Sequence, residues 1–447
     1  MTSLPNSLIK LQEQTFLGND ALVSIKCALI SAFKSGLSKD APTMIPSFVS
    51  IFPDGTEIGE YLALDLGGTN LRVAVVRLLG NDRFDSETKE SFVIPDEKKK
   101  GDALFDWIAE MVKAVLDKKG IDYKKPVIVG ATFSFPVNQV AINRGTVATM
   151  GKGFDLDSVE GMDIVELMEN GFKRKNLNMC ISAIVNDAVS TLIAQMYKEP
   201  TTTIASIILG TGTNSACIVP IAEIKRPSFS FPQSSASDRM VINMEWSLMG
   251  ADFLSFTEYD KQLDKGIKPG FQPFEKMVSG YYLHELVRLA IVDFVKKKEL
   301  FGGVLPGGME RKYSFTSELM SDFERFSIDR PDELISKLSE RYQLPDDIKL
   351  SDLEVIQSIV KCFSRRSAQL VAAGIAALVE FAHPETTETD VTIGIDGSVY
   401  SHYHGYSDML TNEMENLVGT RVRISEVKDG GCVGATIVAM LYAKKSK

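Results

Sequence analysis

The sequence lacks an excess of basic residues. It has 49 Lys and Arg against 59 Asp and Glu, a formal net charge of −10. A nucleic-acid binder needs a basic face to neutralise phosphates, so that class is excluded as the main role. Local sites for phosphorylated small molecules stay open. Cysteine is sparse and poorly spaced for a framework. Cys27, Cys180, Cys217, Cys362 and Cys432 are odd in number, far apart and without a C-x-x-C pair. They read as reduced thiols, not as disulfides or a zinc site. Among the four histidines, the His402-x-His404 pair lacks Cys, Asp or Glu at ligand spacing and reads as a surface loop. No apolar run reaches ~18 residues, and residues 1–20 hold no signal-like stretch. No membrane partner and a cytoplasmic location are therefore expected. Short-period repeats and low-complexity tracts are also missing.

What is present suits a globular α/β protein. Hydrophobic residues make up 44% and charged residues 24% of 447 positions. That length suggests two or three domains at ~100–200 residues each. Apolar strands are expected at 61–66, 71–78 and 127–134, with a helix at about 104–117. Another strand runs into a helix near 182–197, and 200–203 reads as a linker. The second half repeats the idea with strands at 204–209 and 215–219 around a Gly/Thr turn, which suggests two related lobes. A long helix with a small-residue face is expected at 357–382, a strand at 391–395 and a last helix at 435–442. The runs Lys98–Lys100 and Lys296–Lys298 read as solvated faces.

Four glycine turns carry the first chemical signal. Asp65-Leu66-Gly67-Gly68-Thr69-Asn70 ends a strand in a carboxylate, two glycines and a hydroxyl. Glycines let backbone N–H groups approach phosphate oxygens, and Asp65 suits Mg²⁺, directly or through water. Alone, this is equally an ordinary hairpin turn. A second turn, Gly210-Thr211-Gly212-Thr213-Asn214, follows an equivalent strand, so the two together can grip one polyphosphate. Asp396-Gly397-Ser398-Val399 and Gly430-Gly431-Cys432-Val433-Gly434 complete the set. The last precedes a helix, as an adenosine or anion site would.

A second group suits a polyhydroxylated ligand. Ser134 ends a buried strand before Phe135, and Asn186-Asp187 end another. A carboxylate at a strand end facing a cleft is a natural general base, although Asp187 also reads as a helix N-cap. Asn214, Glu245 and Glu275 add matching donors and acceptors. Taken singly, Glu245 and Glu275 read as surface ion-pair partners.

Together these motifs resemble the eukaryotic hexokinase and glucokinase family, in its single form of ~50 kDa, over nearly the whole chain. The residues are Leu64–Val73, Phe133-Ser134-Phe135-Pro136, Lys152-Gly153-Phe154-Asp155 and Val185-Asn186-Asp187, then Leu209–Asn214, Ile242–Trp246, Phe274–Gly280 and Asp396–Tyr400. The resemblance implies a two-lobed, actin-like (ribonuclease H-like) fold with a central cleft. The small lobe would hold 52–201 joined by a C-terminal helix at 434–447. The large lobe would hold 202–433 joined by the segment 1–51. Ser134, Phe135, Lys152, Asn186, Asp187, Asn214, Glu245 and Glu275 would bind the hexose, with Asp187 as base and Lys152 orienting the sugar. Asp65, Leu66, Gly67, Gly68, Thr69, Asn70, Gly210, Thr211, Gly212, Thr213, Gly280, Ser317, Gly397 and Ser398 would bind ATP.

The implied activity is transfer of a phosphoryl group from ATP, with Mg²⁺, to the 6-hydroxyl of glucose, mannose or fructose, the first step of glycolysis. The implied assembly is a monomer or homodimer. A glucose sensor of the same fold is the alternative, and an actin-like ATPase or chaperone a more distant one. Four stretches depart from the family pattern. Gly151 stands where Thr usually precedes the sugar-site Lys, Ser317 where Thr is frequent, and Ser247 where Gly is usual. Gly431-Cys432-Val433 replaces a Ser-Gly-Lys found in many members.

Overall fold

A computed structural model describes residues 4–443, apart from 68, 136, 148–156, 232–236, 327, 329, 346, 383–389 and 419–421. The strands are β1 (Ile45–Pro46), β2 (Ile58–Leu66), β3 (Asn70–Gly80), β4 (Arg83–Val93), β5 (Val127–Phe133), β6 (Val137–Ala141) and β7 (Arg144–Val147). They continue with β8 (Met179–Val185), β9 (Thr203–Leu209), β10 (Thr213–Pro220), β11 (Arg239–Asn243), β12 (Val391–Asp396) and β13 (Val422–Glu426). The first helices are α1 (Asn6–Thr15), α2 (Asn19–Gly36), α3 (Gly101–Lys119), α4 (Ile164–Arg174) and α5 (Asp187–Lys198). Then come α6 (Glu258–Lys265), α7 (Pro273–Val278), α8 (Gly280–Lys296), α9 (Ser317–Arg325) and α10 (Pro331–Ser339). The last are α11 (Leu350–Ala382), α12 (Ser398–His402), α13 (Tyr406–Glu415) and α14 (Gly430–Ala443).

Two sheets share one topology. The first is ordered β4-β3-β2-β5-β8 and the second β1-β11-β10-β9-β12-β13. In each, a central strand forms a hairpin with the next strand and pairs in parallel with a later one (β2 with β3 and β5, β9 with β10 and β12). The repeated strand–turn–strand pattern in the sequence is thus a duplicated five-strand unit, with β1 as an added edge. A small hairpin of β6 and β7 stands apart.

Three apolar cores follow from this layout. One lies between the first sheet and the helices α3 and α4. A larger one joins the second sheet to α1, α2, α8 and α11. The third is built by α5, α14 and the inner faces of both sheets, so it ties the two halves together. In α11 the small residues Ala368, Ala372, Ala373 and Ala376 are buried, which lets neighbours approach closely. The closest backbone approach is made by α14. A Cβ at Gly434 would lie 1.9 Å from the Ser190 carbonyl oxygen of α5, and one at Gly130 of β5 would lie 2.1 Å from the Ala435 carbonyl oxygen. Only hydrogen fits there, and α14 sits wedged between strand and helix.

This packing corrects three expectations. The glycines from Gly430 are not a loop before a helix; they form the first turns of α14 itself. The long helix begins at Leu350, well before residue 357. His402 closes the short helix α12, although both it and His404 are exposed as expected. All five cysteines are unpaired, in agreement with the spacing argument. No single helix among the described residues is long and apolar enough to cross a membrane.

Candidate active site

The two glycine turns occupy equivalent places, each where the central strand of a sheet reverses into a hairpin. In the first, the Gly67 N–H donates to the Asn70 carbonyl at 3.0 Å, and the Ile94 N–H donates to the Thr69 carbonyl at 2.9 Å. In the second, the Gly210 N–H donates to the Gly212 carbonyl at 3.0 Å. Gly397 packs against this second turn with φ +133°, and a Cβ there would lie 2.3 Å from the Leu209 carbonyl oxygen. Both conformation and space therefore require glycine. The Gly280 N–H donates to the Gly210 carbonyl at 2.8 Å, and the Ser317 hydroxyl to the Gly280 carbonyl at 3.3 Å. A Cβ on Gly210 would meet the Ser398 nitrogen at 3.2 Å. Thus Gly210–Thr213, Gly280, Ser317, Gly397 and Ser398 form one cluster, although they span much of the second half of the chain.

Asp65 anchors the opposite side. Its strand pairs it directly with Arg72 across the β2–β3 ladder, and the Arg72 guanidinium donates to its Oδ2 at 2.9 Å. Burial pushes the Asp65 carboxyl up, against the pull of Arg72, and the Asp187 charge adds to the rise. Asp396 is pushed up to about 6, by burial first; Arg72 opposes this, while Asp65 and Asp187 add to it. Three carboxylates therefore feel one another across the space between the sheets. Gly431 makes room beside them, since a Cβ there would lie 3.0 Å from the Asp65 Oδ2.

The sugar candidates form a polar network that joins the two halves. Asn186 caps α5, and its Oδ1 accepts from the Ala188 N–H at 2.9 Å and from the Asn214 amide at 3.0 Å. The same Asn214 nitrogen lies 2.9 Å from Asn243 Oδ1 and 3.4 Å from Glu245 Oε1. Its two hydrogens are shared among three acceptors. Asn243 in turn donates to Glu245 Oε1 at 3.0 Å. Glu245 has a left-handed backbone, φ 48°, which is uncommon outside glycine and clusters at functional sites. Glu275 accepts the Thr213 N–H at 2.9 Å, with Trp246 donating to the Thr213 hydroxyl at 3.0 Å. Glu245 and Glu275 are half-buried and accept from N–H donors, rather than standing on the open surface as each suggests when taken singly. Asp187 is the first residue of α5 and half-buried; the cap is Asn186, and Asp187 Oδ1 also accepts the Ala188 N–H at 2.8 Å. The Ser134 N–H donates to the Leu66 carbonyl at 3.2 Å, which ties Ser134 to the first turn. Phe135 is buried, with its ring centroid 5.1 Å from that of Phe133.

Gly68, Lys152 and the departure at Gly151 lie outside the described residues. Three residues stood within the quoted motifs without a role of their own: Asn243, Arg72 and Asp396. Each had a weak signal. Asn243 stands two residues before Glu245 at the end of a strand, hence on the same face. Arg72 follows Asn70 with the same period. Asp396 precedes a glycine turn, as Asp65 does.

Among the described residues, no group of three or more His, Cys, Asp and Glu could hold a metal ion. Asp65 has one oxygen engaged by Arg72. This fits an ion held mainly by phosphate oxygens and water, with a carboxylate in its water shell, as Mg²⁺ prefers. It does not fit a dedicated protein cage.

Two family models, each described as hexokinase, match residues 7–197 and 204–441. The chain belongs to the hexokinase family. The break between the two matches coincides with the crossing from α5 to β9. Hexokinase-2 of Candida albicans is 34% identical over 99% of this chain and 93% of its own length. Hexokinase-1 of Schizosaccharomyces pombe is 33% identical over 99% and 92%. The solved structure of Schistosoma mansoni hexokinase in complex with glucose superposes with a TM-score of 0.85, at 31% identity, covering 97% of each chain. The hexokinase fold is therefore the one present: mixed α/β, actin-like and two-lobed, with a central cleft.

Proposed function

We propose that the protein transfers the terminal phosphoryl group of ATP to the 6-hydroxyl of glucose and related hexoses such as mannose or fructose. The observation that carries this reading is the Asn186–Asn214–Asn243–Glu245 network, which spans both halves with Asp187 beside it. Such a set of amides and carboxylates matches the many hydroxyls of a sugar. Family membership supports it.

In this mechanism Ser134, Asn186, Asn214, Glu245 and Glu275 hydrogen-bond the sugar hydroxyls and fix the 6-hydroxyl beside Asp187. Asp187 accepts the hydroxyl proton as the phosphorus is attacked. General-base help of this kind is worth about 10²–10⁴-fold. Lys152 keeps the orienting role implied by the resemblance. The turns 67–70 and 210–213 present backbone N–H groups to the phosphates, so positioning supplies most of the acceleration. Mg²⁺, when bound with ATP near Asp65, neutralises phosphate charge. Asn214, bridging Asn186 and Glu245, couples sugar binding to the approach of the lobes, which excludes water from the transfer.

The test is formation of glucose 6-phosphate from glucose and Mg-ATP by the wild-type protein. Glucose-stimulated ATP loss matched by product supports the reading. ATP loss indifferent to sugar sinks it in favour of an actin-like ATPase. No turnover, with glucose still raising the melting temperature, replaces it with a glucose sensor.

Two further results are expected. A Cβ at Gly212 would lie 2.7 Å from the Glu275 Oε2, so Gly212→Ala displaces that carboxylate from the Thr213 N–H. The KM for glucose should rise about tenfold, equivalent to about 1.4 kcal/mol, with kcat changed less. In the metal-free protein, Asp396 holds its proton up to about 6 against an unfolded value of 3.8. Its favourable contribution is present below the unfolded value and lost as pH rises through about 6. Asp396→Asn should therefore raise the unfolding free energy measured in urea at pH 7.5 by at most about 3 kcal/mol, and leave it unchanged near pH 3.5.

A further inference from the structure

In two places a pair of cations stands three and two residues before a serine: Lys225-Arg226-Pro227-Ser228 and Arg311-Lys312-Tyr313-Ser314. Basic-directed protein kinases select a hydroxyl by such a charge pattern. The fold separates the two. The Ser314 hydroxyl is buried. Ser228 is exposed, as are Lys225 and Pro227, in the irregular stretch 225–231 before β11.

That stretch docks on the turn after α2 and the approach to β1. The Ser228 hydroxyl donates to Asp40 Oδ1 at 2.6 Å, and its N–H lies 3.2 and 3.1 Å from the two Asp40 oxygens. The Lys225 N–H donates to the Leu37 carbonyl at 2.8 Å. Arg226 donates through its two terminal nitrogens to the carbonyls of Gly36, Ala41, Thr43 and Met44. Its Nε lies 3.8 Å from Asp40. Beyond Ser228, the rings of Phe229 and Phe231 stack at 6.1 Å and 8°. Both lie against Phe48, at 5.9 and 6.2 Å. Phe48 has φ 61°, a conformation that a bulky residue keeps only when its neighbours hold it. It stands in 47–57, which carries the chain from β1 in the second sheet to β2 in the first.

We propose that Ser228 is a phosphorylation site, and that its phosphate releases 225–231 from 36–48 and loosens the crossing 47–57. The γ-phosphoryl group of the protein kinase's ATP passes to Ser228 Oγ. The bond from that phosphorus to ADP breaks, and the hydroxyl proton goes to the kinase's base. The product has lost the O–H that Asp40 accepts and has gained a charge of about −1.5 to −2 beside a carboxylate. Arg226 does not compensate, because its terminal nitrogens are committed to four carbonyls. Lys39 and Lys225 are exposed, and ion pairs in open water hold little. The Arg226 side chain is 9% exposed, so a kinase that reads it binds the stretch lifted off. It thus selects the released state that the phosphate then favours.

The experiment treats the whole protein, without sugar, with ATP and the catalytic subunit of cyclic-AMP-dependent protein kinase. Mass spectrometry maps the phosphate in wild type, Ser228→Ala and Lys225→Ala. Both substitutions are on the surface and keep the fold. Wild type should take phosphate on Ser228 and not on Ser314, and Ser228→Ala should take none at either position. Lys225→Ala should be labelled about tenfold more slowly. Hydrogen exchange over 36–48, 47–57 and 225–231 should quicken about tenfold in phosphorylated wild type and stay slow in treated Ser228→Ala. The site is overturned if Ser228 takes no phosphate, or if Lys225→Ala is labelled as fast as wild type. Release is overturned if phosphorylation leaves exchange unchanged. It is also overturned if Ser228→Ala exchanges as fast as the phosphorylated protein, since loss of one hydrogen bond is then the whole effect. Faster exchange that stops short of 47–57 overturns the reach to the crossing. None of these readouts depends on turnover of a sugar.

Discussion

Asp187→Ala is expected to lower kcat for glucose phosphorylation by about 10²–10⁴-fold, with thermal stability nearly unchanged. The two halves of this result separate the catalytic role from a structural one. As the first residue of α5, Asp187 gains from the helix dipole, worth about 0.3–1 kcal/mol. That gain is offset by repulsion from Asp65 and Asp396, which both feel its charge. The cap itself is supplied by Asn186 and survives the substitution. A residue needed only for the helix would cost stability and spare kcat. Asp187→Asn sharpens the comparison, because it keeps the shape and removes the basicity. Coupled assays of product formation measure both variants, and glucose-dependent shifts in melting temperature show whether the sugar still binds. Turnover within tenfold of wild type in Asp187→Asn would remove Asp187 as the base.

The second large effect lies away from the cleft. Arg366 of α11 donates to both oxygens of Asp260 in α6, at 2.7 and 2.8 Å, with side chains 1% and 4% exposed. Asp260 also accepts from the Thr257 N–H and hydroxyl, each at 2.7 Å, and closes the capping box of α6. Asp260→Ala leaves a buried guanidinium without its partner and removes the box. The expected loss is about 3–5 kcal/mol in urea denaturation, with kcat of the folded fraction preserved. Replacing both residues with apolar ones, Asp260→Leu with Arg366→Met, should recover most of this loss, because no charge is then stranded. Burial raises the Asp260 carboxyl, but the Arg366 charge and the bonds from Arg366 and Thr257 outweigh it and hold it below the ordinary 3.8. A depressed carboxyl stabilises the fold above its unfolded value and loses that contribution as pH falls through the folded one. The acid limb of stability below about pH 4 should therefore be shallower in the double variant.

The same chemistry explains why some residues were legible in sequence and others were not. Alternation of apolar residues marked β2, β3, β5, β9 and β10, and glycines marked the turns between them, because both signals are local. Asn186, Asp187, Asn214, Glu245 and Glu275 were legible as motif members. Arg72 stood in its motif without a role, since its value to Asp65 depends on the register of β2 against β3. Asn243 gained its meaning only when Asn214, 29 positions away, met it in space. The glycines from Gly430 were misplaced as a loop because glycine is a poor helix former in isolation. In the fold, the backbone of α5 leaves room for nothing larger at Gly434, and the carboxylate of Asp65 crowds Gly431.

The sequence by itself determined the α/β class, the duplicated strand–turn–strand plan, the family and the identity of the polar groups offered to the ligands. Those follow from short-range periodicity and from residue chemistry, which need no partner to be read. Tertiary structure alone decided which charges share a cleft, that Asp396 holds its proton up to about 6, and that the Ser228 hydroxyl meets Asp40. These depend on burial and on distances between groups far apart in the chain. Electrostatic and hydrogen-bond energies change steeply with such distances, and only the packing of the elements sets them.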